Sequence, residues 1–478
     1  MVTVLLFLIP LISGISAFFI REEKAAKTWA LISSIATLAV SLFATFQPAN
    51  STLLTYDANW LPMLGGRFTL GLNGMGRMLT LLTAVSFPII FAATFKNTYK
   101  SAGAFYGFML LSQAGLLGVF SAMDLLLFYF FWELALIPVY FLCSRWGGEK
   151  RIPVTFKFFI YTFTGSLLML IGILCLYFLT PDHSFSISSL YKLSVNTADE
   201  ILIFCLMFSA FAIKMPIFPF HTWQPDTYEQ APTAVTMVLS GVMVKMGVFA
   251  VIRWLLPILP AASIRMADVV IVLSVIGMLY ASLIAIRQDD MKRLIAYSSI
   301  AHIGLMAATL FTGNASGMQG VMFQMFAHGV NVIGLWIVAD VIEQKTGTRK
   351  FSELGGLAQK APTLAILFAI MAFANIALPL TNAFIGEFIM FNALFQYNVW
   401  FASAALISII LAAVYTLWMV QKIFFGEFIN KGSEIKVPFN THLMLAILVG
   451  MILFFGVYPK PMINLTSESE NIKVAQNK

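Results

Sequence analysis

At 478 residues, with 60% hydrophobic and only 11% charged side chains and a mean hydropathy of +0.88, the chain lies outside the range of soluble domains, and no polar stretch is long enough to bury a core of its own. Its formal charge of +7 is scattered through short loops, which argues against a nucleic-acid partner and leaves membrane topology as the use of those residues. Cys143, Cys175 and Cys205 stand singly in apolar stretches and form no framework for a disulfide, zinc or an iron–sulfur cluster, so their expected role is packing.

The composition predicts an all-α polytopic membrane protein in one transmembrane domain. Apolar runs near the ~20 residues that span a bilayer fall at 2–20, 29–46, 76–95, 104–120, 123–143, 156–180, 200–220, 232–256, 268–286, 294–311, 318–340, 362–394, 398–425 and 440–458, about fourteen spans. No basic residue precedes the first run and Arg21 follows it, so it reads as a retained span and not a secretory signal. Four segments are expected: 1–103 with the first three helices, a five-helix unit at 104–256, a second at 266–426, and a last helix at 440–458.

Charges inside spans need a reason, because each is expensive at a helix centre, roughly 2.5–3.5 kcal/mol even on the lenient insertion scale. Glu133 lies in span five, Lys214 in span seven, Lys245 in span eight and Glu387 in span twelve, whereas Asp124, Asp340 and Glu427 sit at span ends. Arg77, Lys157, Arg253 and Lys422 are close enough to span ends to snorkel. His302 in span ten and His328 in span eleven titrate in a range suited to proton shuttling, although a buried histidine can equally be a packing residue. His183 and His442 read as loop or interface residues.

Two spans carry breakers. In span seven, Pro216 and Pro219 follow Lys214, and His221 comes just after as a possible channel entrance. In span twelve, Pro379 lies between Asn375 and Asn382, eight residues before Glu387. An interior proline removes an amide donor and clashes with the preceding turn, so both helices should break. Broken backbone at membrane depth survives only inside protein or against water, which points to polar sites at both breaks, with a packed proline kink as the plainer alternative. The breaks are five spans apart, and a five-helix unit repeated in sequence must insert upside down the second time, the inverted-repeat logic of transporters.

Lys and Arg crowd the loops after odd-numbered spans. Loops after even-numbered spans hold only Arg67, Lys192 and Arg265, and the tail carries Lys460, Lys473 and Lys478. On the positive-inside rule both termini are expected on the outer, periplasmic side.

KMPIFPFHTWQPDTYEQAPTAV at 214–235, GVMVKMG at 241–247 and DDMKRLIAYSSIAHIG at 289–304 resemble the antiporter-like subunits of proton-pumping NADH:quinone oxidoreductase, respiratory complex I. Within that family the chain is similar to the M-type subunits, because Glu387 stands where the other types carry Lys and the sequence stops soon after span fourteen. The resemblance implies an acid–base pair of Glu133 and Lys214, a central relay at Lys245 extended by His302 and His328, and Glu387 near a second half-channel. The chain departs from the family pattern at Tyr228, Glu229 and Gln230, and at Asn73, where an Asp is expected.

No GxGxxG, P-loop or cysteine cluster is present, so this chain should hold no cofactor, and NADH, FMN, iron–sulfur clusters and quinone should belong to partner subunits. Partners are expected to be other membrane subunits of the complex, especially neighbouring antiporter-like chains, together with lipid of a bacterial inner membrane. Two other readings stay open: a subunit of a multisubunit cation/proton antiporter, and a non-conducting scaffold whose charges only pair.

Overall fold

A computed structural model describes residues 1–429 and 435–467. Lys431, Lys473 and Lys478, which entered the charge sorting, lie outside the described residues. Each of the fourteen expected stretches holds one helix or, at 362–394, a broken pair, and a short helix at Trp223–Gln230 falls between the seventh and eighth stretches. They run α1 (Val2–Ala17), α2 (Glu23–Thr45), α3 (Gly74–Ala93), α4 (Ala102–Ser121), α5 (Leu125–Trp146), α6 (Arg151–Leu179), α7 (Thr197–Lys214), α8 (Trp223–Gln230), α9 (Thr233–Ile258), α10 (Pro260–Ile286), α11 (Met291–Leu310), α12 (Ala315–Thr346), α13 (Pro362–Asn375), α14 (Asn382–Tyr397), α15 (Val399–Phe424) and α16 (Phe439–Val457), with a short α17 (Lys460–Ser467) after them. Eleven of these helices are individually long and apolar enough to cross a bilayer.

Local sequence sets the helix starts. Asn73, Asp124, Asn196, Asp290 and Asn314 each accept a backbone N–H from the first turn of the helix that follows, satisfying donors that the helix cannot satisfy itself. Gly347, with φ +75°, ends α12 in the left-handed conformation that a side chain resists.

Loops after spans two, four and six gather at one end of the bundle. There β1 (Thr55–Leu61) and β2 (Gly66–Gly71) form an antiparallel hairpin, and Leu70 bridges Ala122 while Asp124 bridges Ser186. This hairpin was missed by the search for apolar runs, although TYDANWL and RFTLG around a Pro-Met-Leu-Gly turn alternate as strands do. Loops after spans five, seven, nine and eleven meet at the opposite end: Gly148 N–H donates to Gln230 O, and Asp290 bridges Lys350.

That second end carries a network of opposite charges. Glu229 accepts from Arg293 at 2.8 Å and Arg349 at 2.9 Å, Asp226 pairs with Lys157 at 2.9 Å and Arg293 at 3.0 Å, and Lys292 meets Glu343 at 2.6 Å. Glu229, one of the departures from the family loop, therefore clamps α8 to α11 and to the loop after α12.

Two basic residues correct the expectation of snorkelling. Arg77 and Arg253 are each 2% exposed. Arg77 donates to the carbonyls of Thr45 and Gln47, which α2 leaves free at its C-terminus. Arg253 donates to Asn73 Oδ1 at 2.7 Å and lies over the Phe249 ring. Lys157 and Lys422 do keep their heads toward the surface.

The helices that carry the central ionisable residues are also the most enclosed. α9 and α12 are buried along their whole spanning windows, whereas α2, α15 and α16 show about two thirds of theirs to the surroundings.

Candidate functional site

The first break follows from the prolines. α7 stops at Lys214, Ile217 N–H reaches back to Ala212 O, and the carbonyl of Ile213 is taken by the Trp223 indole at 3.0 Å. Lys214 is thereby left at a helix end, 2% exposed, with its Nζ 5.8 Å from the centre of the Trp132 ring and without a hydrogen-bond partner among the described residues. Glu133, the next residue after Trp132, feels the field of Lys214 and lies beside Ser166, but its Oε1 makes no hydrogen bond. No ion-pair contact within 4.0 Å joins Glu133 to Lys214 among the described residues. The acid and base of the first half therefore face one another across a gap.

A second group of buried polar residues, running from α9 to α14, is connected. α9, which fills the span at 232–256, widens into π turns at Leu239–Met243 and Val251–Leu255. Such turns displace a carbonyl from the regular ladder and recur at functional sites. Lys245 Nζ donates to Ser240 O in the first of them at 2.8 Å, and lies 2.8 Å from His328 Nδ1 on α12. Glycine makes this approach possible: a Cβ on Gly329 would sit 2.7 Å from Gly241 O, and one on Gly241 would sit 2.7 Å from the Ile333 side chain of α12.

From His328 the polar line runs on to α11 and α14. The His302 and His328 rings are 5.7 Å apart between centres, and His302 Nδ1 is 2.9 Å from Glu387 Oε1. Gln324 donates to the same oxygen at 3.2 Å. Asn331, which donates to Ala374 O at the end of α13, lines a small cavity with His302, His328, Asn375 and Glu387. Nε2 of both histidines, Oε1 of Gln324 and Oδ1 of Asn331 are buried without a protein partner. Polar atoms of this kind are normally satisfied by water, so the arrangement suits a chain of proton donors and acceptors.

The break in span twelve has its own signature. Between α13 and α14, Ala377 and Leu380 hold positive φ of 54° and 75°, a conformation side chains resist and which is found where function or packing enforces it. Leu380 O would be 2.2 Å from a Cβ at position 456, so Gly456 of α16 is what lets this loop close against the bundle. Asn375 is held by Ser298, which also receives the Tyr415 hydroxyl.

Of the residues singled out from sequence, Lys245, His328, His302 and Glu387 come together, Glu133 and Lys214 form a separate group, and His221 joins neither. His221 is buried against Phe218 and Tyr280. Gln324, Asn331, Ser240 and Tyr415 were missed. Gln324 and Asn331 lie four residues before and three after His328, the spacing that puts side chains on one helix face, and that spacing was the available signal. Among the described residues no group of three His, Cys, Asp or Glu is placed to hold a metal ion.

The family described as NADH:quinone oxidoreductase/Mrp antiporter, transmembrane, matches residues 122–412. NADH-quinone oxidoreductase subunit M of Rhodobacter capsulatus is 36% identical, over 94% of this chain and 90% of that protein. F(420)H(2) dehydrogenase subunit M of Methanosarcina mazei is 35% identical over 96% and 95%. A chain of respiratory complex I from Thermus thermophilus superposes with a TM-score of 0.91 at 29% identity, covering all of both chains. A chain of the Mrp complex from Dietzia shares the fold, with a TM-score of 0.84 at 22% identity over 98% of this chain and 51% of that one.

Proposed function

This chain belongs to the family of membrane subunits shared by NADH:quinone oxidoreductases and Mrp antiporters, and we propose that it is the M-type subunit that carries protons across the membrane when quinone is reduced elsewhere in the complex. The observation that supports this most directly is the pair of contacts, Lys245 to His328 and His302 to Glu387, brought side by side in the most enclosed part of the bundle.

The proposed steps at the two ends of the line are protons moving between a donor and an acceptor already in contact, and the step between them crosses the gap between the His328 and His302 rings. Protonated Lys245 gives a proton from Nζ to His328 Nδ1, and the ring releases the proton on Nε2 toward His302. His302 in turn shares its Nδ1 proton with Glu387. Lys214 and Glu133 form the other station, loading and unloading as their separation changes, and His221 marks the approach to it. Moving a charge against ~200 mV costs about 4.6 kcal/mol, more than the ~1.5–3 kcal/mol of one charged hydrogen bond. The drive must therefore come from rearrangements in partner subunits.

Within this reading 104–256 and 266–426 are the two inverted five-helix units, flanked by 1–103 and 440–458, and the fold is the fourteen-span one. The charge-rich ends face the cytoplasm of a bacterial inner membrane and both termini the periplasm. NADH, FMN, iron–sulfur clusters and quinone sit in partner subunits. Relatives named for NADH and for F420H2 match this chain about equally well, so its own residues do not select the electron donor. The shared family keeps a cation/proton antiporter subunit as the second reading.

The test is NADH-driven proton uptake into inside-out vesicles carrying Lys245→Ala, with assembly checked on the same membranes. Intact assembly with uptake and NADH:quinone turnover both collapsed is the expected result; normal rates of both would leave only the scaffold. Sodium-dependent transport without NADH would favour the antiporter.

A further inference from the structure

Beside the second break lies a cavity of about 600 Å³ between α14 and α15. Its walls are apolar, chiefly Phe384, Phe388, Phe391, Leu406 and Ile409, and the ionisable group among its lining residues is Glu387. Phe388, Phe395 and Leu406 are exposed, so the cavity opens on the outer surface of the bundle. Its inner wall is continuous with a smaller cavity that also borders His302, Glu387 and Tyr415, and Glu387 lines a third cavity beside His328. The outer surface of the protein thus communicates with the carboxylate that ends the connected line.

We propose that this cavity is a binding site for a lipophilic amine or similar organic cation, which enters from the bilayer side and places its charged nitrogen on Glu387. Size and lining support this, since cavities of 300–1,000 Å³ with apolar walls and a few polar groups enclose drug-sized molecules. Charge complementarity selects the ligand class. A carboxylate that faces an apolar wall and has only part of its acceptor capacity used is incompletely solvated, and a cation is the partner that completes its solvation. The carboxylate also has room. Both hydrogen bonds it accepts, from His302 and Gln324, end on Oε1, and a carboxylate has about four acceptor positions over its two oxygens. A neutral hydrocarbon chain would fill the same walls but gain nothing from Glu387. Bound there, the cation competes with His302 for Glu387 and slows proton uptake; that consequence rests on the proposed relay, whereas the binding does not.

The experiment uses the assembled complex in vesicles and a photoreactive lipophilic tertiary amine of drug size, beside an uncharged analogue of the same shape. The amine should label peptides of α14 and α15 about tenfold more than the analogue, the ratio expected for one charge-assisted hydrogen bond. Ser403 lines the cavity without contributing to the relay, and Ser403→Trp should fill the space and abolish labelling while basal proton uptake persists. In the unaltered chain an excess of unlabelled amine should displace the probe. Equal labelling by the uncharged analogue, undiminished labelling of Ser403→Trp, or failure of displacement would each overturn the site. Labelling as expected with no effect on proton uptake would leave the site standing and count against the relay.

Discussion

Two groups of buried charges are held differently in the bundle. In the line that runs from α9 to α14, Lys245, His302 and Glu387 each make a hydrogen bond, and α9 and α12 are brought together by a glycine contact beside a π turn. At the first break, the Lys214 ammonium lies over an indole and has no hydrogen-bond partner among the described residues, and Glu133 stands apart. The contrast teaches that a buried charge in this fold is tolerated in two ways, by wiring it into a line of partners or by leaving it at a helix break next to an opposite charge that it does not touch. The wired group is suited to passing protons on. The open pair is suited to changing its proton affinity when the gap changes, because the interaction of two charges in a poorly solvated interior varies steeply with their separation.

The largest effect that could break this contrast comes from His328→Ala, which removes the side chain that, among the described residues, is bonded to Lys245 Nζ. Proton uptake in vesicles should fall by about a hundredfold, the scale of a lost proton-transfer partner, while assembly is kept; near-normal uptake would mean the wiring is not the path. Next comes a pair of double-mutant cycles read by thermal unfolding of the purified complex. His302→Ala with Glu387→Gln should show a coupling of about 1.5–3 kcal/mol, as for a charged hydrogen bond in contact. Glu133→Gln with Lys214→Met should show a smaller one, and equal couplings would erase the difference between the two groups.

The smallest effect concerns the hairpin that caps α5, the helix carrying Glu133. Arg67 N–H donates to Asp124 at the start of that helix, and the Arg67 guanidinium, bonded to Asp57, holds the Asp57 carboxyl below its ordinary value of 3.8. A lowered carboxyl contributes stability that is complete above its unfolded value and is lost as pH falls through the folded one. Hydrogen exchange in the hairpin, corrected for the intrinsic rate, should be flat from neutral pH down to about pH 4 and rise below it. α5 should loosen with the hairpin while α11 and α12 stay protected. Because Asp57 and Arg67 are exposed, solvent screens the pair and the change should be slight.

Much of this was legible in the sequence because hydropathy is a one-dimensional property. Twenty apolar residues must cross the bilayer wherever they pack, and a proline with no N–H must break its helix whatever lies beside it, so the spans and the gaps at 215–222 and 376–381 could be read directly. Residues such as Lys214 and Glu387 stood out because a charge in an apolar run is costly on its own. Arg77 and Arg253 were misread, since nearness to a span end does not reveal that a carbonyl or an Asn73 amide waits inside. The hairpin escaped because it is short, half exposed and held by contacts to Ala122 and Asp124 from far along the chain. Sequence alone determined that this protein lives in a membrane, where its spans lie, and that Glu133, Lys214, Lys245 and Glu387 are carried inside them. Tertiary structure alone decided that Lys245 meets His328, that His302 meets Glu387, and that Glu133 and Lys214 do not touch. Those outcomes depend on the rotation and closeness of neighbouring helices, set by glycine contacts and π turns, and no local property of the chain encodes them.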